Sequence, residues 1–280
     1  MKHLHRILIS ALLLLPLIGT AKGPAAPDTL KVISYNIRNG EAEDGTNSWN
    51  FRYPATILML RDQMPDIFGL QEAYEYQVKF IEENMKEYKS YGIGREDGKK
   101  DGEFMSIFYN KNKVKMGKKG TFWLSETPRK PSCGWDGACR RTATWAFMKM
   151  KDSKKEFIYV NTHLDHVGVE ARREGLALIV REIAKMNPKN LPVVLTGDFN
   201  VSPDDPCLVS LEGKMLSARD IAKKTDRHYT FNGWGHDEEL IDYIYEKGFS
   251  AVPEFQTITK KYGQWKYISD HFPVAALLVF

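Results

Sequence analysis

The chain has 280 residues, 42% hydrophobic, 27% charged and 12% aromatic, enough apolar side chains for a sizeable core and far from the composition of a disordered chain. Its net charge of +4 is mild. That charge is compatible with phosphate-bearing substrates but falls short of the basic stripe of a dedicated DNA-binding protein.

Residues 1–21 read as a secretory signal: "MKHLHR" is basic, "ILISALLLLPLIG" is apolar but short and broken by proline, and Gly19-Thr20-Ala21 is small enough for cleavage. An uncleaved membrane anchor is the alternative. No cysteine follows the apolar stretch, so a lipid anchor is not expected and the destination is secreted or periplasmic. Residues 22–27 form a linker and residues 28–280 one domain. No later apolar run is long enough to span a bilayer, so the mature chain is expected to have no transmembrane segment. A monomer is the expected state.

In chain order, "LKVISYNI" alternates and is β-branched, which predicts a strand ending at Asn36. "EAEDGTNSW" is a polar loop, "RYPATILMLRDQM" has helical spacing and stops before Pro65, and "DIFGLQE" is a short strand closing on Glu72. "YEYQVKFIEENM" is a second amphipathic helix. Strand-like runs follow at "FMSIFYN", "GTFWLSE", "TATWAFMKM" and "EFIYVNTHL", with "DGKKDGEF" and "YNKNKVKMGKKG" read as basic loops. "EARREGLALIVREIAKM" places Leu176, Ile179, Val180 and Ile183 on one helix face. Strands then recur at "LPVVLTG", "LIDYIYE", "FSAVPEF" and "VAALLVF". Many strands among few helices predict an α/β fold of two mixed β-sheets packed together with helices outside; an eight-fold barrel would need more helices.

Cys133 and Cys139 lie close together in "SCGWDGAC", where either a disulfide or two reduced thiols fits. Cys207 reads as a small buried hydrophobe, and no cysteine has the spacing of a zinc ligand.

Several strands end in a polar residue that a strand end does not require. They are Asn36, Glu72, His163 with Asp165, Asp198 with Asn200, Asp242, and Asp270-His271 before the last strand. Each alone fits a solvated turn. Gathered at one mouth of the two sheets, these carboxylates, amides and imidazoles make the oxygen-rich setting that Mg²⁺ prefers, and they suit hydrolysis of a phosphate ester.

"VISYNIRNG", "PDIFGLQE", "VNTHLDH", "LTGDFN", "IDYIY" and "SDHFP" stand in the order and rough spacing of the endonuclease/exonuclease/phosphatase superfamily, which this chain resembles from about residue 30 to its end. The resemblance implies a four-layer α/β sandwich and a divalent-metal phosphoesterase using Mg²⁺, with Mn²⁺ as an alternative. It implies Glu72, Asn36 and Asp270 as metal ligands and His271 as the general base, its ring oriented by Asp242. Asp198 and Asn200 would hold the nucleophile and a phosphate oxygen, and His163 would hydrogen-bond the phosphate or assist the leaving oxygen. Arg140 and Arg141 lie where family members contact phosphate, unless they are a solvated strand edge. Trp49 and Trp135 are candidates to stack on a base or sugar, or else packing lids. The expected partner is a phosphate ester, nucleic acid or small phosphodiester. A phosphomonoester, phospholipid or sugar phosphate is the second reading, and a non-catalytic binding protein on the same fold the third.

Overall fold

Strand alternation sorts the side chains of this protein into three cores stacked between four layers. The structure, a computed structural model, describes residues 28–280; the expected signal and linker lie outside the described residues. One six-stranded sheet contains β1 (Thr29–Asn36), β2 (Ile67–Gln71), β3 (Tyr88–Tyr91), β4 (Ile107–Asn110), β11 (Ala251–Thr257) and β12 (Val274–Val279), in the order β11-β12-β1-β2-β4-β3. The other contains β5 (Val114–Trp123), β6 (Thr142–Met150), β7 (Glu156–His163), β8 (Val193–Asp198), β9 (Leu216–Ser217) and β10 (Asp242–Lys247), in the order β5-β6-β7-β8-β10-β9. Each sheet is mixed: β1 and β2 are parallel, as are β7 and β8, and the remaining pairs are antiparallel.

The helices cover the outer faces. From α1 (Trp49–Gln63) and α2 (Glu75–Asn84), Met59, Leu60, Val78 and Ile81 pack on Ile33, Tyr35, Phe68 and Leu70 of the first sheet. From α3 (Val169–Met186), Leu176, Ile179 and Ile183 pack on Ile158, Val160, Val193 and Leu195 of the second. A fourth helix, α4 (Ala218–Ile221), is a single turn. Between the sheets lie Leu30, Val32, Ile67, Phe157, Tyr159, Val194 and Ile244. The period of two does this sorting: β1 sends Leu30 and Val32 inward and Ile33 and Tyr35 toward the helices. Two mixed sheets inside two helical layers are the architecture expected from the sequence.

Two differences have physical causes. The polar "YKSY" of β3 is unexpected as a strand because it sits at the edge of its sheet, where only one side pairs. The lysine-rich stretch expected as a basic loop is instead part of β5, an edge strand with a register shift between Met116 and Lys119. Lysines and bulges at an exposed edge discourage pairing with other chains. Residues 28 and 280 come together where β1 begins, Phe280 N donating to Asp28 O at 3.0 Å. Among the described residues, no helix is long and apolar enough to cross a membrane.

Midway along the seam, a polar clasp joins the sheets. Gln71 Nε2 donates to Asn161 Oδ1 at 2.6 Å, Asn161 Nδ2 donates to Leu70 O at 2.7 Å, and Thr196 Oγ1 bonds Asn161 Oδ1 and Tyr159 Oη at 3.0 Å each. The clasp fits because β2 carries Gly69 opposite it: a Cβ there would stand 2.4 Å from Asn161 Oδ1 and 2.7 Å from Thr196 Oγ1. Gly69→Ala should therefore destabilise the protein by about 2–4 kcal/mol, combining overpacking with broken buried hydrogen bonds. Chemical denaturation checks this, and a change below about 0.5 kcal/mol, the scale of an ordinary surface substitution, would show that the seam does not need the glycine.

Candidate active site

The seam changes character along its length, from apolar through the clasp to ionisable. The inward face of β1 runs Leu30, Val32, Ser34, Asn36, and that of β7 runs Phe157, Tyr159, Asn161, His163. On β8 it runs Val194, Thr196, Asp198, and the antiparallel β10 opens with Asp242 before Ile244. Register sets Asp198 in the middle, with His163 beside it on one neighbour and Asp242 on the other. Glu72 follows β2 with φ 63, a left-handed backbone uncommon for glutamate. Strict alternation would send Glu72 to the helix side with Leu70, yet its carboxylate meets Asn36 in the seam.

Asn36 Nδ2 donates to Glu72 Oε1 and to Asp198 Oδ2, both at 2.9 Å, while Asn36 Oδ1 accepts from Arg38 N at 2.9 Å. Asn39 N donates to Glu72 Oε2 at 2.9 Å. Across the mouth, His271 Nδ1 meets Asp242 Oδ2 at 2.8 Å, which leaves Nε2 3.6 Å from Asp198 Oδ2. Asn200, at φ 53, donates its backbone N–H to Asp198 Oδ1 at 2.9 Å, and its Nδ2 reaches His163 Nε2 at 2.9 Å and Leu164 O at 3.0 Å. Since that amide donates, the network assigns His163 the tautomer with Nε2 unprotonated. Asp270 lies 3.5 Å from Arg38 Nε, and Arg38 also grips Asp44 through two hydrogen bonds of 3.0 and 2.9 Å. All these groups open on, or lie directly behind, a cleft of about 700 Å³.

Burial dominates the electrostatics. It raises Asp198 to about 7, with Asp242 adding to the effect, and it raises Asp270, where Glu72 adds. Burial also opposes ionisation of Glu72, but the bonds from Asn36 and Asn39 and the nearby His271 outweigh it and hold that group below its usual value. Burial disfavours the His271 cation too, yet Asp242 and Asp198 prevail and push it up to about 10. His163 lies well below the usual histidine range through burial and the charges of Arg141 and Arg95, so it is a neutral imidazole. Packed carboxylates that raise one another's pKa are a donor set with excess negative charge, and they fit a hard divalent cation. Two clusters centre on Asp198 with ligand atoms within 4.8 Å of one another: Glu72, His163 and Asp198, and Asp198, Asp242 and His271. A third, Cys139, Asp165 and His166, suits a metal poorly. Asp165 already accepts from the backbone of Ala138, Cys139, Val167 and Gly168, and His166 Nδ1 meets Arg141 at 3.0 Å.

Of the substrate-contact candidates, only Arg141 lines the cleft. Arg140, its neighbour on an extended segment, turns away and pairs with Glu96. Trp49 is 5% exposed and packs edge-on against Phe80 at 5.7 Å, so it is part of the core beneath α1 and α2. Trp135 leans on the outer core beside α3 and is no wall of the cleft. Cys133, Cys139 and Cys207 are all free thiols. Arg38, Arg95, Glu103 and Trp234 line the cleft without having been expected there. Arg38, in "NIRNG", stood two residues from a named ligand; Trp234, between two glycines in "NGWGHDEE", carried a turn signal beside an aromatic.

The sequence profile described as the Endonuclease/Exonuclease/phosphatase family matches residues 33–271, from β1 to His271 itself. The chain belongs to this family. It is a hydrolase acting on phosphoric ester bonds, as the family's members are. A mannosyl-6-phosphatase from Bacteroides thetaiotaomicron is 36% identical, with a TM-score of 0.86 over 90% of this chain and 100% of that one. A family protein from Bacteroides vulgatus is 35% identical, with a TM-score of 0.84 over 90% of this chain and 98% of that one. The human Nocturnin catalytic domain, 18% identical with a TM-score of 0.71 over 91% of this chain and 94% of that one, shares the fold.

In the metal-free protein, NMR titration should find the His271 imidazolium persisting to about pH 10, far above an ordinary histidine. Adding Mg²⁺ should lower that value, because a cation among the same carboxylates cancels the charge that stabilises the imidazolium. A His271 titration indifferent to Mg²⁺ would place the ion elsewhere.

Proposed function

We propose that this protein is a divalent-metal-dependent phosphomonoesterase acting on a small, polyhydroxylated phosphate ester of the sugar-phosphate class. The observation that carries this reading is how the cleft's positive charge is spent. Three arginines line it, and each already faces a carboxylate: Arg38 faces Asp44, Arg95 faces Glu103 at 2.5 Å, and Arg141 faces Asp165 at 3.6 Å. Asp237 and Glu239 add further negative charge to the wall. Such a cleft accommodates one phosphate beside a cation. A nucleic-acid backbone would bring successive phosphates against carboxylates, where binding needs cations to replace counterions. Phosphodiesters and nucleic acid head the expectations from sequence; the paired arginines reverse that order. The 36% identity to a mannosyl-6-phosphatase supports the same choice.

Glu72 and Asp270 would hold Mg²⁺ or Mn²⁺, and Asn36, expected from sequence as a ligand, turns its N–H groups to Glu72 and Asp198 and positions those carboxylates instead. When bound, the ion would supply charge neutralisation at a phosphate oxygen. His271, its Nδ1 held by Asp242, takes a proton at Nε2 from the attacking water in its neutral form. Asp198 orients that water, and the neutral His163 accepts from the Asn200 amide and so fixes the wall beside Asp198. As part of the same proposal, residues 1–21 direct the enzyme out of the cytoplasm; amino-terminal sequencing of exported protein should find them removed.

Turnover of mannose 6-phosphate, bis(p-nitrophenyl) phosphate and single-stranded DNA, with Mg²⁺, Mn²⁺ or chelator, tests the assignment. The monoester should be the best substrate, and chelation should abolish activity. A diester or DNA turned over faster would return the protein to the diesterase reading. His271→Ala should lower kcat by about 10²–10⁴-fold, the usual contribution of a general base. Glu72→Gln should weaken Mg²⁺ binding in calorimetry; unchanged affinity would remove Glu72 from the ligand set.

A further inference from the structure

One wall of the cleft is a loop whose construction exceeds what closing a turn requires. Phe231 and Glu239 pair as an antiparallel bridge, and the chain between them returns over the catalytic end. Gly233, Trp234 and Gly235 are all left-handed, at φ 48, 61 and 95. Glycine adopts such angles freely, whereas tryptophan rarely does. The conformation is fastened from several sides. Asn232 N and Gly233 N donate to Asp270 O at 2.7 and 3.1 Å, and the buried Asn232 side chain donates to Ser269 O at 3.2 Å and accepts from Trp234 N at 2.9 Å. The buried Arg52 guanidinium lies over the Trp234 ring, 5.5 Å from its centroid.

The result is a half-buried indole fixed in a cleft wall, beside two carboxylates, next to the residue that precedes His271. Backbone held in a rare conformation points toward function when its surroundings enforce it. We propose that the Phe231–Glu239 loop is the leaving-group subsite and that it takes a monosaccharide ring, with Trp234 as the platform and Asp237 and Glu239 as acceptors for ring hydroxyls. This rests on the monoesterase reading. The chemistry selects the ligand class. A pyranose offers an apolar C–H face to an aromatic ring and several O–H donors around its edge, which this wall matches. An acyl chain would strip water from both carboxylates without replacing it. A nucleotide strand would set its next phosphate against them.

Steady-state kinetics of the Mg²⁺-loaded enzyme on mannose 6-phosphate and on the acyclic glycerol 2-phosphate separates a ring subsite from a supporting loop. Trp234→Gly, which suits the left-handed backbone, should lower the ratio of kcat/KM for the sugar ester over the acyclic one by about tenfold. The loss should lie mainly in KM, and Trp234→Phe should recover most of the ratio. An unchanged ratio, whether both substrates suffer equally or neither suffers, would overturn the proposal. If the wild-type protein hydrolyses neither ester, the monoesterase reading falls. The subsite is then read by saturation-transfer NMR with methyl α-mannoside: transfer lost in Trp234→Gly supports it, and equal or absent transfer in both proteins overturns it.

Discussion

A single side-chain amide crosses the seam at the point where everything else converges. Asn36 belongs to the first sheet and Asp198 to the second, and the two N–H bonds of one Nδ2 join Asp198 to Glu72. Buried carboxylates so placed repel one another, and a neutral donor between them holds the geometry without cancelling the charge. The amide oxygen is itself pinned by the backbone of Arg38, so the side chain has one orientation. Lysine at that position would neutralise the acids and leave nothing for a metal. An aliphatic residue would remove both hydrogen bonds and leave the two buried carboxylates without that donor.

The seam that ends at this amide reconciles stability with an unstable cluster. Its apolar end and central clasp contribute the packing and the cross-sheet hydrogen bonds; its mouth collects charges that burial penalises. The raised Asp198 and Asp270 and the raised His271 belong to one electrostatic arrangement, in which the imidazolium answers the carboxylates around it. The proposed mechanism needs His271 neutral, so the residue that balances these carboxylates could act as a base only where a cation balances them in its place. The left-handed backbones of Arg38, Glu72, Asn200 and Trp234 all fall around this mouth, consistent with strain held where chemistry is done.

Much of this was legible in the chain. Alternation in β1, β7 and β8 identifies which residues share a face, and Asn36, His163 and Asp198 are placed by parity once two sheets are expected. The motif order supplied Glu72, which alternation alone would have turned outward, because no pattern of residues announces a positive φ. Trp49 takes the packing alternative for a related reason: an aromatic beside a polar loop looks available until the helix it begins is seen to lie against α2. Arg140 and Arg141 were read as a pair, although adjacent residues of an extended segment face opposite ways. Arg95 and Trp234 come from loops whose courses depend on distant carbonyls, those of Glu103 and Asp270, and sequence spacing does not encode such contacts.

The meeting of residues 28 and 280 at the start of β1 has a consequence for how the enzyme can be held. β1 runs from that point to Asn36, so about eight residues at roughly 3.3 Å each separate residues 28 and 280 from the cleft. Whatever is joined after residue 280 leaves from the pole opposite the mouth. A tether, a fusion partner or a solid support can take hold there and leave the mouth facing outward, open to whatever diffuses past.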